Sequence, residues 1–239
     1  MSRRVSTRAR HAALALLAGS TCVFLGVACD DDEPQPGATR AWPAGTAVAI
    51  DDVAISATQV DLDSVYVERL EQSASPAQLR RLALTNISIP RVLASALAPQ
   101  KREAALAEAR AARSALDSGT FAGPPRPEGT LGALAEGDWT VLGLVVWGTA
   151  MDLPDGVWSE VVEEPGRFAI LRRLGRRDGA VPMATVVKIE ALVFPWLDET
   201  SAAQDIEAEH DRHRLTIVDP AWEAIVPELL KYRMGGKQP

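Results

Sequence analysis

The sequence predicts an α+β fold, helical in its first half and carrying a small antiparallel sheet flanked by helices in its second. Three observations lead there. Residues 101–119, "KREAALAEARAARSALDSG", are Ala-rich with apolar side chains at helical spacing. From Asp138 the texture turns to β: "VWSEVVEE", "RFAILRRL" and "TVVKIEALVF" are rich in Val, Ile, Trp and Phe and are separated by Gly, Pro and Asp. Residues 201–239 then return to charged and amphipathic helical patterning. No repeat at solenoid spacing is present.

Taken in order, residues 1–28 have the plan of an export signal. Arg3, Arg4, Arg8 and Arg10 precede an apolar stretch from Ala12 to Ala28, which Gly19, Ser20 and Thr21 interrupt. The stretch is too short and discontinuous for a stable membrane span. It ends in Leu25-Gly26-Val27-Ala28-Cys29, which resembles the lipobox of bacterial lipoproteins, although the large aliphatic residue stands one place early. The resemblance implies cleavage before Cys29, lipidation of its thiol, and a lipid-anchored, periplasm-facing place in the cell envelope. The alternative is an ordinary secretory signal with an incidental cysteine. With Cys22 in the leader, Cys29 has no partner for an internal disulfide. Several acyl chains would hold the protein firmly, whereas one binds only marginally.

Losing the four leader arginines takes the net charge from −7 to −11. So acidic a body speaks against nucleic acid and against a broad anionic-lipid surface as partners. Residues 29–44, with Asp30, Asp31, Asp32, Glu33 and several prolines, read as a solvated tether.

Residues 45–118 read as mostly helical. "TAVAIDDVAIS" is two extended pieces about a turn at Asp51-Asp52, and Ser56 is placed to cap the following helix. After Pro76, Leu79, Leu82, Ala83 and Ile87 form one apolar stripe, and Pro90 must end or kink that helix. In the Ala-rich helix Leu106, Ala109, Arg113 and Leu116 share a face and Gly119 stops it.

Residues 119–200 form the β-rich part. "GTFAGPPRPEGTLG" has too many prolines and glycines for regular structure. "WTVLGLVVW" fits either a strand or a buried helix. Pro165-Gly166 reads as a turn feeding the strand "RFAILRRL", and Arg172, Arg173, Arg176 and Arg177 read as its solubilising edge. Residues 201–239 read as a charged, solvated helix, then a helix opened by Asp219-Pro220 with Trp222, Ile225, Val226, Leu229 and Leu230 on its apolar face.

The order of these pieces resembles the exported parvulin-type prolyl isomerases and their SurA-like chaperone relatives. "AVAIDDVAISATQVD" is similar to the opening of the chaperone domain. "AEARAARSALDSGTFA" and "EGTLG", with Gly129, Leu131 and Gly132, are similar to the parvulin helix and the glycine motif after it. "LPDGVWSEVVEEPGRFAIL" is similar to the closing hairpin, with Leu153, Gly156, Ser159, Val162 and Gly166 in place. The resemblance spans roughly residues 45–175. It implies a folding factor for unfolded or proline-containing exported polypeptides, with no cofactor.

The departures bear on catalysis. No His-bearing strand precedes the Ala-rich helix, so "TVVKIEALVFPWL" is expected to take the place of the missing first strand. At the position of the closing His stands Phe168. X-Pro isomerisation breaks no σ-bond, and needs only an apolar pocket favouring the twisted amide. Trp139, Leu142, Trp147, Met151 and Phe168 are the candidates for such a substrate-binding pocket, or are simply core. Isomerase activity is therefore expected to be weak or absent. Without catalysis, the chain reads as a lipoprotein docking or assembly module. Glu207, His210 and His213 share a helical face, but in so charged a segment solvation is expected rather than a metal.

Overall fold

A computed structural model describes residues 40–123 and 130–235. The anticipated leader, Cys29 and most of the anticipated tether lie outside the described residues, as does Gly129. From Ala41 onward the chain packs as one compact unit. It is a mixed α+β architecture with two small antiparallel sheets.

The first sheet begins with the hairpin β1 (Thr46–Ile50) and β2 (Val53–Ser56). Asp51 turns it with a φ of +47°, a conformation Asp tolerates better than most residues. β1 is buried along its whole length because β7 (Leu215–Ile217) pairs on its other side. The C-terminal region therefore completes the N-terminal sheet, in the order β2-β1-β7.

The Ser56 hydroxyl accepts from the Gln59 N–H at 3.1 Å and caps α1 (Ala57–Glu68). α2 (Pro76–Ala83) opens on a capping box between Ser75 and Gln78. Its path to α3 (Ile89–Leu97) runs through a π-helical turn, Leu84–Ser88. That wider turn accommodates Pro90, so the helical path is re-registered rather than ended. α4 (Pro99–Asp117) lays Ala105, Ala109 and Ala112 against the second sheet.

The second sheet has the order β3-β6-β5-β4, with β3 at Ala133–Gly137, β4 at Val162–Glu164, β5 at Arg167–Arg177 and β6 at Val186–Pro195. β6 pairs with β5 from Arg167↔Pro195 to Arg177↔Val186. Gly166, at φ +90°, makes the tight β4–β5 turn.

One open alternative is decided here, and several expectations are corrected. "WTVLGLVVW" is helical, as α5 (Trp139–Leu142) and α6 (Leu144–Asp152). Gly143 separates them at φ +86°, and its missing Cβ leaves room for the Glu164 carboxylate at the α6 N-terminus. The β texture also starts earlier than Asp138, at Ala133, a strand whose small and acidic residues give little β signal. Of "VWSEVVEE" only Val162–Glu164 is a strand; Trp158 makes an isolated bridge to Arg172.

The arginines of β5 are a solubilising edge only in part: Arg176 and Arg177 are exposed at the strand end, whereas Arg172 and Arg173 are drawn into ion pairs. Arg172 pairs with Glu190 of β6, whose side chain is 0% exposed, and Arg173 pairs with Asp155. The last helix is broken as well. Pro220–Trp222 is a 3-10 turn, Pro227 caps α8 (Glu228–Met234), and Leu229 faces outward at 67% exposure while Leu230 is buried.

Candidate functional site

An open groove of about 950 Å³ runs between α1, α6 and the segment 159–163, with β2 and α3 contributing to its walls. Close packing of α1 on α6 creates it. The Tyr66 ring seats against Gly148 of α6, where a Cβ would stand 2.6 Å from Tyr66 Cδ1. One turn further on, the Arg69 guanidinium grips both carboxylate oxygens of Asp152.

The floor is held by one buried carboxylate. Asp63 is 2% exposed and accepts from Ser88 Oγ at 2.7 Å, Gln59 Nε2 at 3.2 Å and Arg91 Nη1 at 3.1 Å. Arg91 Nη2 donates onward to the Glu163 carbonyl of β4 at 3.0 Å. This chain pins α1, α3 and β4 together. Burying both charges is costly, and saturating the carboxylate with donors offsets that cost. Above the floor the walls are largely apolar, with Val92, Val145, Leu153 and Val161. Leu62 and Val65 stand on the rim at 60% and 44% exposure.

The five residues anticipated as a substrate pocket do not assemble into one. Leu142 and Trp147 are buried in the main core, with Trp139 and Met151 packed against it. Trp147 is fully enclosed and its indole N–H donates to the Thr185 carbonyl at 2.9 Å. Phe168 belongs to a separate cluster beneath α4, 1% exposed, with its ring 4.5 Å from that of Trp196. The Arg102 guanidinium covers both rings, at 5.5 and 6.0 Å from their centroids, and pairs with Glu163 at 2.8 Å. The neighbouring surface over Phe168 is a shallower depression walled by α4 and residues 160–163. The physical reason is alternation: Phe168 and its neighbours on β5 point to opposite faces of the sheet.

Glu164 closes the far end of β4. Burial pushes its carboxyl pKa up, against the opposing pull of Arg167, and it accepts from the Val146 N–H of α6. The glycine motif after α4 acquires a partner that sequence reading missed. Glu190 accepts from the Leu131 and Gly132 N–H groups, binding residues 130–132 to the sheet. Ser159, from the closing-hairpin resemblance, is buried and accepts from the Leu171 N–H at 3.0 Å.

The histidine segment is also corrected. α7 (Ala202–Glu209) is not solvated on all sides: Ile206, Glu209 and His210 are buried. The His213 ring lies between Asp51 Oδ2 at 2.5 Å and Glu209 Oε2 at 2.8 Å. The hydrogen bond to Asp51 raises the His213 pKa, outweighing partial burial, with Glu209 adding to it. Burial opposes ionisation of Asp51, but His213 and the Arg214 N–H together hold its pKa below the usual value. The two carboxylates face opposite ring nitrogens, so this is an ion-pair latch between the β1–β2 turn and α7. Among the described residues no cluster of His, Cys, Asp or Glu converges as a metal site.

Asp63 was legible only in retrospect. It lies on the Val60–Val67 face of α1, an acid within an apolar helical stripe, and such a residue must find partners. Arg91 and Glu163 carry no such signal.

Comparison with protein-family models, curated proteins and solved structures finds no match for this chain. What fold and site define together is an α+β protein with an open, apolar-rimmed groove built on a buried charge network. Among the described residues no single helix is long and apolar enough to cross a membrane.

Proposed function

We propose that this protein is an envelope-anchored, parvulin-like folding factor that holds exported polypeptides in the α1–α6 groove, with weak or no prolyl isomerase activity. The observation that carries the reading is the groove itself. It has a volume of about 950 Å³, is open to solvent, and presents Leu62 and Val65 beside a hydrogen-bonded polar floor. Apolar side chains exposed on a fixed scaffold are what transient capture of unfolded chains requires.

The parvulin resemblance draws support from one feature of the sheet. β6 lies along the whole length of β5, where the absent first strand of the family pattern was expected to be replaced. Gly166 and Ser159 serve the closing hairpin as a turn and a backbone anchor. Weak catalysis fits the enclosure of Phe168 under α4, which leaves no polar group at the position where the family has His. Anchoring rests on the leader and Cys29 alone.

Two measurements on the full chain in detergent micelles test this. A photo-crosslinker at Leu62 should label a chemically unfolded exported protein, and excess chain should suppress that protein's aggregation. Absence of both results would overturn the reading. In a prolyl isomerisation assay, no rate above background is expected, and Phe168→His should not raise it.

A second reading, a non-catalytic docking or assembly module, is favoured by the same enclosed Phe168 and by the lack of histidine in the second sheet. Recovery of one stoichiometric partner, rather than many unfolded clients, would favour it over the first.

A further inference from the structure

The lining of the groove has a charge pattern as well as an apolar one. Its charged side chains are four acids, Asp63, Asp152, Glu160 and Glu163, against Arg69 and Arg91, and Arg102 from α4 pairs with Glu163 as well. Both arginines are already engaged, Arg69 by Asp152 and Arg91 by Asp63. No uncommitted positive charge among these residues faces an occupant. The Asp152 and Glu160 side chains remain 64% and 86% exposed, and the Arg113 contact to Glu160 is long, at 3.4 Å. With Glu163 held by Arg102, the carboxylates open to an occupant beside the apolar walls are Glu160 and the exposed side of Asp152.

Its borders are also two sheet edges. Ala54–Ser56 of β2 and Val162–Glu163 of β4 both line it, and each strand is outermost in its sheet. On β4 the Glu163 carbonyl is already taken by Arg91. β2 has β1 on one side and no strand partner on the other among the described residues. An extended chain can add to such an edge through main-chain hydrogen bonds while its side chains fill the groove.

Resting on the polypeptide-binding reading above, we propose that the groove selects extended segments of non-native chains in which apolar residues are flanked by Lys or Arg. Such a segment adds to the free edge of β2, and its cations meet Asp152 and Glu160. Charge complementarity of this kind chiefly sets which partner is accepted.

The test uses the full chain and three fluorescein-labelled peptides with one apolar centre: Lys-flanked, Glu-flanked, and Lys-flanked with alternate backbone amides methylated. Affinities are read by fluorescence anisotropy at low and high salt. The Lys-flanked peptide should bind about tenfold more tightly than the Glu-flanked one, the ratio expected from two exposed ion pairs. High salt and the exposed-site variants Glu160→Gln and Asp152→Asn should each narrow that ratio. Methylated amides should weaken binding at least as much, since they cannot pair with β2. Equal affinity for the Lys- and Glu-flanked peptides, or a ratio untouched by the variants, would overturn the charge selection. Undiminished binding of the methylated peptide would overturn the strand pairing. Binding of no peptide at all would instead sink the underlying polypeptide-binding function. If deleting residues 30–39 restored binding of the Glu-flanked peptide, the chain's own acidic tether would be the occupant and the proposal would fall.

Discussion

Replacing Glu190 should unlock the second sheet, and the structure allows the size of the effect to be worked out. The side chain is 0% exposed and its carboxylate accepts from the Leu131 and Gly132 N–H groups, and from Arg172 through Nε at 2.7 Å and Nη2 at 2.6 Å. Glu190→Ala leaves two backbone donors and a guanidinium without their acceptor. Breaking a buried pair by removing one partner costs about 3–5 kcal/mol. Arg172 is 28% exposed and can turn partly toward water, so the lower end, about 3 kcal/mol, is expected. That is a large share of the roughly 5–15 kcal/mol that stabilises a typical domain. Glu190→Gln should cost less, about 2 kcal/mol, since its carbonyl still serves the loop while its amide opposes the Arg172 donors. The double variant Glu190→Leu, Arg172→Met removes both charges and should recover the part of the loss due to the stranded guanidinium, while the Leu131 and Gly132 N–H groups stay without their acceptor. Urea unfolding followed by tryptophan fluorescence reads all three, and Trp158, 4.9 Å beneath the Arg172 guanidinium, provides a local reporter. A loss under about 1 kcal/mol for Glu190→Ala would refute the argument, given the cost of unpaired buried groups. So would a double variant as unstable as the single.

Asp63→Ala should destabilise by about 3–5 kcal/mol, because it strands the Arg91 charge, and the same variant should lower crosslinking from the groove; denaturant titration checks the first claim. Gly143→Ala should cost at least about 1–3 kcal/mol, from a positive φ and a Cβ placed 2.6 Å from Glu164 Oε1, and a thermal unfolding scan reads it. The His213 latch gives a pH dependence of definite sign. With the His213 pKa raised above its usual 6.5, its contribution is complete below that pH and is lost as pH rises through the folded value. With the Asp51 pKa lowered below its usual 3.8, that contribution is present above 3.8 and is lost as pH falls through the folded value. The stability difference between wild type and His213→Gln should therefore be greatest between these limits and shrink toward alkaline pH, measured by denaturation at a series of pH values. A difference constant across that series would count against the latch.

Local chemistry was readable wherever one stretch of chain contains its own reason. Ser56 caps α1, Asp51 turns the hairpin and Gly166 turns β4 into β5, because each depends on a few neighbouring atoms. The Ala-rich helix follows from periodicity and the β5 and β6 strands from their β-branched and aromatic composition, and with them the α+β class. Reading left the choice open where short apolar runs lack a period. "WTVLGLVVW" became helices only because it packs between α1 and the sheet. Arg172 looked like part of a solvated edge because the sequence does not display that β6 lies beside it with a buried Glu190.

The sequence by itself determined the α+β class, the N-terminal hairpin, the Ala-rich helix, the strands β5 and β6 and the acidic composition. Only the tertiary structure decided that β7 returns to β1, that Phe168 and Trp147 sit in different clusters, and that Asp63, Arg91 and Glu163 meet under one groove. The physical reason is separation along the chain. Helix caps and turns are settled over a few residues, whereas a buried ion pair or a strand register is settled only when distant segments compete for the same partner and the best-satisfied arrangement wins.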